Sequence, residues 1–178
     1  MSKKLISIIA IVLLLTMVFT GCGKAASAAG TTKMGFGAVT TIAKSKDAAA
    51  DKDGVAQAYT ELACVVIDKD GKIVNVWIDS IQSNIAISAT GTIKTALDTK
   101  VQTKRELGDK YGMKDQSKLG KEWYEQADAM EKFLIGKTKA DIQALKLTEG
   151  KSEDMKASVS ITVTNYLAAV VKAIDNAQ

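Results

Sequence analysis

YTELACVVIDKDGKIVNVWIDSIQ, residues 59–82, predicts a β-hairpin around which the rest of the chain can be arranged. Its first arm is apolar from residue 62 to residue 67, which favours a strand covered on both faces. The turn has the sequence Asp-Lys-Asp-Gly at residues 68–71, and an Asp-Gly step between β-branched runs indicates a hairpin because glycine adopts positive φ without steric cost. The return arm alternates. Its packed side carries Val74, Val76 and Ile78.

Further strands and helices are expected on either side of the hairpin. Residues 36–46 favour a first strand and residues 84–88 a short further strand, whereas the glycine-punctuated segment 103–119 favours a surface loop. The Gly-Phe-Gly triplet at residues 35–37 lacks a third glycine and a following helix, so it does not indicate a dinucleotide-binding loop.

Periodicity predicts three helices in the second half of the chain. A helix over 121–135 presents Trp123, Ala127, Met130 and Leu134 on one face and stops at Gly136. A shorter helix opens at a capping box formed by Thr138 and Asp141. The last helix, over 165–177, carries an apolar stripe. The stripe consists of Leu167, Val170, Val171 and Ile174.

These elements predict an α+β fold, a small antiparallel sheet with a central β-hairpin packed by C-terminal helices. A length of 178 residues is typical of one domain. The first residues look like an export signal. Without its Lys3 and Lys4, 22 basic residues face 20 acidic ones, a net charge of about +2 that gives no indication of nucleic-acid binding. The absence of histidine excludes Ser-His and Cys-His nucleophilic catalysis and histidine-built zinc sites.

The N-terminal region predicts export and lipid anchoring. Residues 1–21 have a basic start and an apolar core, as a signal peptide does. The segment ends in Phe-Thr-Gly-Cys, which resembles a bacterial lipobox, so Cys22 is expected to receive the lipid at the extracytoplasmic face of the cell membrane. Residues 22–33 are expected to form a flexible tether and residues 34–178 a single domain. Cys64 lies in an apolar strand and is expected to be a buried core residue.

Three stretches resemble the bacterial FMN-binding domain family, and more closely its small exported lipoproteins in Gram-positive anaerobes. They are VVIDKDGKIVNVWI, TKRELGDKYGMKDQSKLGKEWYEQADAMEKFLIGKT and ASVSITVTNYLAAVVKAIDNA. The resemblance implies an α+β domain with a loop of the form Asp-x-x-Ser-Gly-Ala-Thr before a helix. In many members the Thr hydroxyl carries FMN through a phosphoester, and such domains shuttle electrons near the membrane.

The corresponding loop departs from that motif in this chain. Counting from the last helix puts Ile161 at the acceptor position and Val159 at the glycine position, whereas matching Asp154 puts Ser160 at the acceptor position. A third register reaches Thr162 but loses the aspartate. The glycine is lost in every register, so we expect no covalent flavin. FMN bound without a covalent link remains open, with hydroxyl donors at Ser158, Ser160, Thr162 and Thr164.

Alternatives remain for both the loop and the function. Hydroxyls at every second position of residues 157–164 suit a helix-entry loop or a strand. The preferred interpretation is a membrane-anchored binding or scaffold protein that is not an enzyme, whose protein or small-molecule partner is unidentified. The alternative is an FMN-dependent electron carrier. A hydrolase is disfavoured because the carboxylates of the 121–135 helix fit its solvated face. These are Glu122, Glu125, Asp128 and Glu131. Asp68 and Asp70 are interpreted as turn residues, not metal ligands.

Overall fold

A three-stranded antiparallel sheet and the helices packed on it form the domain, as described by a computed structural model over residues 32–178. The strands, in the order β1-β2-β3, are β1 (Lys33–Thr41), β2 (Gly54–Ile67) and β3 (Ile73–Ile87). The α-helices are α1 (Lys104–Leu107), α2 (Trp123–Leu134), α3 (Lys139–Gln143) and α4 (Thr164–Asp175). A two-stranded ribbon is formed by β4 (Leu147–Thr148) and β5 (Lys151–Ser152). The predicted α+β class is confirmed.

Short 3₁₀ helices complete the described part of the chain. They span Gly108–Tyr111, Lys114–Gln116 and Glu153–Met155. The signal sequence and Cys22 lie outside the described residues, so their predicted roles stay predictions. Within residues 32–178, none of the helices has the length and apolar character needed to cross a bilayer.

The central hairpin forms where the sequence predicts it. Asp68 and Gly71 close the turn, with the Gly71 N–H 3.0 Å from the Asp68 carbonyl oxygen and a φ of 75° at Gly71. The Asp68 carboxylate accepts hydrogen bonds from the N–H groups of Asp70 and Lys72, both at 2.9 Å. Asp68 is therefore a turn-forming residue, as expected from the Asp-Gly step.

Only one face of β2 is covered, so the prediction of a strand buried on both faces was wrong. Ala63, Val65 and Ile67 are buried, whereas the residues between them are only half-buried. Cys64 belongs to the half-buried set and is not the core residue expected. A short apolar run does not by itself distinguish a two-sided strand from one whose outer side chains shield each other.

The return strand packs as predicted by Val76 and Ile78 but not by Val74. Val76 and Ile78 are buried, while Val74 is exposed and Ile73 is buried instead. The pairing of β2 and β3 shifts register between Val66 and Ile67, next to the turn. A bulge of this kind changes which face a side chain takes, and the sequence does not announce it.

Helix α4 lies directly against β1 because β1 has glycines at two alternate positions. A Cβ added to Gly37 would lie 2.1 Å from the Ala169 carbonyl oxygen, and one added to Gly35 would lie 1.9 Å from the Ala173 carbonyl oxygen. Such distances leave no room for any side chain at either glycine. The two glycines of the Gly-Phe-Gly triplet thus allow the strand to pack directly against the helix.

Helix α2 confirms the predicted apolar face and stop signal. Trp123, Ala127, Met130 and Leu134 are all buried in the core, and Gly136 follows the helix with a φ of 79°. The capping box at α3 is also confirmed, since the Asp141 N–H donates to the Thr138 hydroxyl and the Asp141 carboxylate accepts from the Thr138 N–H.

In α4 the buried face is rotated from the predicted stripe. Leu167 and Val170 are buried as expected, but Val171 and Ile174 are only half-buried. The rest of the buried face consists of Tyr166, Ala169 and Ala173. The rotation follows from the glycines of β1, which draw the alanine side of the helix onto the sheet.

Two carboxylates predicted for the solvated face of α2 have structural roles instead. Glu122 is buried and accepts hydrogen bonds from the N–H groups of Met113 and Lys114, both at 3.0 Å, so it ties the preceding loop to the helix start. Glu131 accepts from the Ile78 N–H at 2.7 Å and pairs with Arg105 at 2.5 Å. These side chains satisfy backbone groups that the helix spacing does not reveal.

We expect Gly37→Ala to destabilise the domain by at least about 2 kcal/mol, because the new methyl group would overlap the α4 backbone. Phe36→Ala is the matched control, since Phe36 is the neighbouring residue and is exposed. It should change the free energy of unfolding by less than about 1 kcal/mol. Urea unfolding followed by circular dichroism measures both. Equal midpoints for the two variants would contradict the close approach.

Candidate functional site

A cavity of about 520 Å³ lies beside the N-terminal end of α4. Its walls come from the end of β1 and the segment after it, the middle of β2, α1, the start of α2, β5 and the loop that precedes α4. The lining residues are Thr41, Ala43, Lys44, Tyr59, Glu61, Lys104, Tyr111, Met113, Trp123, Lys151, Ser160, Ile161, Thr162, Thr164, Asn165 and Tyr166. A volume of this size is typical of a small-molecule site.

Three of the four hydroxyl residues selected from the sequence line this cavity. They are Ser160, Thr162 and Thr164. Ser158 is not among the lining residues, because its hydroxyl donates to the Met155 carbonyl oxygen at 3.3 Å and closes a local turn. The structure thus brings three of the four residues together at one site.

The hydroxyl of Ser160 is already engaged within the protein. Its N–H and its Oγ donate to Oε1 of the buried Gln126, at 2.8 and 3.2 Å. Gln126 in turn donates to Ser117 Oγ at 3.1 Å. Ser160 therefore fastens the loop to α2. Of the hydroxyl residues selected from the sequence, the exposed Thr162 and Thr164 are the two that line the cavity without such a bond in the described residues.

The segment 157–163 is a helix-entry loop, one of the two structures left open by its sequence. It has no strand pairing, and its Val163 N–H donates to the Gly150 carbonyl oxygen at 2.7 Å. Val163 is the N-cap of α4, and no side chain caps the helix. The first turn of α4 therefore presents its N–H groups and the positive end of the helix dipole beside the cavity.

The turn between β4 and β5 supports the two threonines. Gly150 has a φ of 75°, and a Cβ added there would lie 2.6 Å from Thr162 Cγ2 and 2.8 Å from Thr164 Oγ1. The glycine allows the turn to pack on both side chains, and so it fixes one wall of the cavity.

Lys104 is a buried cation surrounded by aromatic rings. Its Nζ lies 4.7 Å from the ring centre of Tyr59, 4.5 Å from that of Tyr111 and 5.3 Å from that of Trp123. Nζ also donates to the Tyr59 hydroxyl at 2.5 Å. Cation–π contacts of this kind stabilise an ammonium group that is removed from water.

A hydrogen-bonded chain of aromatic side chains continues from Lys104 into the core. The hydroxyls of Tyr59 and Tyr166 lie 3.0 Å apart, and Trp123 Nε1 donates to the Tyr166 hydroxyl at 3.0 Å. Burial raises the pKa of Tyr166 well above its ordinary value, and the neighbouring Tyr59 adds to this effect. Tyr166 therefore stays neutral and acts as a rigid hydrogen-bonding link.

Glu61 is the buried acid of the cavity. It is 2% exposed, its Oε1 accepts a long hydrogen bond of 3.5 Å from Asn165 Nδ2, and its Oε2 has no partner in the described residues. Burial raises the pKa of the Glu61 carboxyl, although Asn165 and the charges of Lys104 and Lys44 oppose the rise. A buried oxygen without a partner is costly, so the Glu61 carboxylate is incompletely compensated within the cavity wall.

The charge of the lining favours an anion. Lys44, Lys104 and Lys151 contribute three positive charges, against one negative charge from Glu61 when it is ionised. The uncapped first turn of α4 adds its partial positive charge. Within residues 32–178 no cluster of three or more Cys, Asp or Glu side chains could hold a metal ion.

The sequence alone did not identify Glu61, Lys104 or Tyr59 as site residues. One signal was present, because Thr103 and Glu106 have the spacing of a capping box, and the structure shows that box at the start of α1. Recognising it would have placed Lys104 at the first position of a helix. Its burial still depends on rings from three separate segments, which sequence spacing does not relate.

No family model and no solved structure matches the chain. One curated protein, described as a chlorophenol reductase from Desulfitobacterium hafniense, is 50% identical to it over 42 residues. That match covers 24% of this chain and 13% of the length of the reductase. It is a local similarity, and it identifies neither a family nor an activity for the chain.

We expect Glu61→Gln to stabilise the protein relative to wild type, and to do so more strongly as pH rises. Because burial raises the folded-state pKa, the neutral carboxyl is fully compatible with folding below its ordinary value of 4.5. Ionisation above that value weakens the wild type as pH passes through the raised pKa, and Gln does not ionise.

The measurement is the free energy of unfolding of both proteins from pH 4 to pH 8. A difference between them that stayed constant over this window would show that Glu61 titrates normally, against the burial described above. Glu125→Gln is the control, because Glu125 lies in the first turn of α2, away from the cavity lining.

Proposed function

We propose that this chain is an exported lipoprotein, anchored to the extracytoplasmic face of the cell membrane through Cys22, whose domain binds a small anionic ligand of the FMN type without a covalent link. It is a binding protein and not an enzyme. The observation that carries the proposal is the cavity of about 520 Å³, which is walled by the same loop that resembles the flavin-binding loop of the FMN-binding domain family.

The residues of the cavity fit FMN in size and in charge. The volume lies within the range of roughly 300–1,000 Å³ that holds small-molecule ligands. Thr162 and Thr164 offer hydroxyl donors, and Lys44 and Lys151 offer positive charge for a phosphate group. The N–H groups in the first turn of α4 have no side-chain cap, and their partial positive charge favours a phosphate. The rings of Tyr59 and Trp123 border the same space.

Glu61 affects how an anionic ligand binds. It contacts Asn165 in the first turn of α4, so its negative charge would lie close to a phosphate at that helix end. Burial raises the pKa of Glu61 and so favours its neutral form, which removes this negative charge. Binding of a phosphorylated ligand should therefore strengthen as pH falls.

Noncovalent binding is favoured by the side chains of the loop. Val159 is buried and fills the space that the family glycine would leave, and Ile161 has no hydroxyl to form a phosphoester. The Ser160 hydroxyl is bonded to Gln126. These contacts support a loop that packs as part of the domain and touches a ligand only through its exposed threonines.

The second candidate function is an FMN-dependent electron carrier at the cell surface. A bound flavin supplies one-electron and two-electron transfer, while the protein sets its position and surroundings. The observation that favours this candidate is the chain of hydrogen-bonded rings at the cavity wall, Tyr59, Tyr166 and Trp123, which would adjoin a flavin bound there. A reversible redox potential of the bound flavin separates the carrier from a simple binding protein.

For the ligand, we expect that protein purified from its host binds FMN and releases it on denaturation. The mass of the mature chain should then show no added FMN. Lys151→Gln should weaken FMN binding roughly twofold to fivefold, because one exposed charge near the phosphate is lost. Lys156→Gln is the matched control, since Lys156 is exposed and does not line the cavity. Riboflavin, which lacks the phosphate, should bind both variants like wild type.

Fluorescence titration and mass spectrometry check this prediction. An FMN mass mapped to Ser160 or Thr162 would overturn the noncovalent proposal and make the electron carrier the leading function. A protein that stayed colourless and unresponsive up to saturating FMN would leave the scaffold interpretation, and surface crosslinking would then be used to find its partner.

For the anchor, we expect Cys22→Ala to move the protein from the membrane to the medium or to leave it uncleaved, because only the cysteine sulfur can accept the lipid. Two acyl chains hold a protein firmly, at about 0.8 kcal/mol for each buried methylene. Cell fractionation decides the outcome, with Cys64→Ala as the control for the loss of a thiol. A Cys22→Ala protein that stayed in the membrane at its mature size would contradict the anchor.

A further inference from the structure

The face of the main sheet opposite the helices carries a contiguous row of large apolar side chains. Phe36, Cys64 and Trp77 are direct cross-strand neighbours on the three strands, and Met34 lies beside Val66 in the next row. We call these five residues the outer patch. Met34 is 63% exposed, Phe36 53% and Trp77 44%. Clustered exposure of this kind is typical of an interaction surface.

The opposite face is the one that the helices cover. Gly35 and Gly37 face α4, and Val76 and Ile78 are buried toward the core. Arg105, at the free edge of β3, has its guanidinium carbon 5.9 Å from the Trp77 ring centre. Among residues 32–178, therefore, the helices lie on the other face of the sheet and leave the outer patch uncovered.

Along β1 the outer face changes from apolar to polar. Four residues after Phe36, the same face of β1 carries Thr40, whose hydroxyl lies 3.0 Å from that of Thr60 on β2. On β1 the apolar part is therefore confined to the end where the strand begins, whereas β3 carries Ile81 and the exposed Ile85 farther along the same face.

That end of the sheet is also where the chain enters the domain after the proposed lipid-bearing cysteine. β1 begins at Lys33, eleven residues after Cys22. A segment of that length spans at most about 40 Å even when fully extended. Met34 and Phe36 are thus the first large apolar side chains after the anchor, and they are exposed.

Four lysines lie at the same end of the sheet, namely Lys33, Lys69, Lys72 and Lys137. The Lys69 ammonium pairs with Asp70 at 2.8 Å, and that of Lys137 lies over the Phe133 ring of α2. The acidic side chains there are Asp68, Asp70 and Asp141, and the carboxylates of Asp68 and Asp141 are already engaged by backbone N–H groups. The excess is one positive charge, carried on flexible side chains that can reach lipid headgroups. An exposed apolar patch that contains a tryptophan, at an end of the sheet with excess positive charge, suits an anionic membrane surface.

We propose that the outer patch docks onto the anionic lipid surface to which Cys22 tethers the chain, with Met34, Phe36 and Trp77 entering the headgroup region. This docking rests on the proposed lipid anchor. It adds to the anchor a fixed orientation of the domain on the membrane. The helix-covered face, with the cavity at the N-terminal end of α4, is then directed away from the membrane and is open to ligand.

Tryptophan fluorescence tests the docking because the chain has two tryptophans in opposite surroundings. Trp123 is 1% exposed in the core and cannot reach lipid. The lipidated protein is reconstituted in phosphatidylglycerol vesicles whose acyl chains carry bromine, a quencher that acts at short range. We expect wild-type emission to be quenched and shifted to the blue, and both effects to disappear in Trp77→Phe, which retains only Trp123.

Two substitutions on the outer face of β1 separate docking from simple proximity. Phe36→Asp should abolish the quenching, because a charge would enter the apolar patch. Thr40→Asp, on the same face but at the polar end, should leave the quenching unchanged. Circular dichroism establishes that both variants are folded.

Each remaining outcome counts against one part of the account. A lipid-bearing protein whose Trp77 emission is the same with and without bromine overturns the docking and leaves the anchor intact. Lack of quenching together with a Cys64–Cys64 crosslink between copies shows that a second copy covers the patch, which also overturns it. A chain recovered without lipid overturns the anchor. In that case a maleimide lipid is coupled to Cys22 of a Cys64→Ser variant, and the quenching of Trp77 by bromine again decides whether the patch docks.

Discussion

The direct contact between α4 and β1 is the constraint on which the rest of the structure depends. Gly35 and Gly37 leave two successive positions on the helix-facing side of β1 without side chains, and the helix meets them with Ala169 and Ala173, so the two backbones come into contact. A helix held this closely cannot slide or rotate without a clash. Its N-terminal turn is therefore fixed over β2, where Asn165 reaches Glu61 and Tyr166 reaches Tyr59. The cavity exists because the glycines of a strand more than a hundred residues earlier fix the position of the last helix.

A second set of contacts, made by Arg105, holds the free edge of β3 and fixes the cavity wall opposite α4. Arg105 Nε donates to the Ile78 carbonyl oxygen at 2.7 Å, and its guanidinium pairs with Asp128 and Glu131 of α2. Glu131 also accepts the Ile78 N–H, so the edge has little free backbone to offer another strand at this point. Because Arg105 follows Lys104 directly, the same attachment holds the Lys104 side chain among its three rings. Edge protection and the cation of the cavity thus arise from adjacent residues of one short helix.

Local signals predicted most of the elements of this fold. The Asp-Gly turn at Gly71, the apolar face of α2 and the capping box at Thr138 depend on neighbours a few residues away, and all three are confirmed. The outcomes that required distant partners were missed or wrong: the bulge beside Val66, the buried role of Glu122 and the open outer face of β2. The residues of the site likewise divide into those that the sequence predicted and those that it did not. Its hydroxyls were found because they lie together in one loop, whereas its buried acid and cation come from separate segments and become neighbours only through the packing of α4 and α1.

We propose above all that the space beside the first turn of α4 is a ligand site. Mapping amide chemical shifts of the ¹⁵N-labelled protein during titration with FMN tests it most directly, because each wall of the cavity reports separately. We expect saturable shifts at Glu61, Lys104, Thr162 and Thr164, with the distant loop at Leu97 unaffected. Saturable shifts confined to that loop, or none at any FMN concentration, would contradict it.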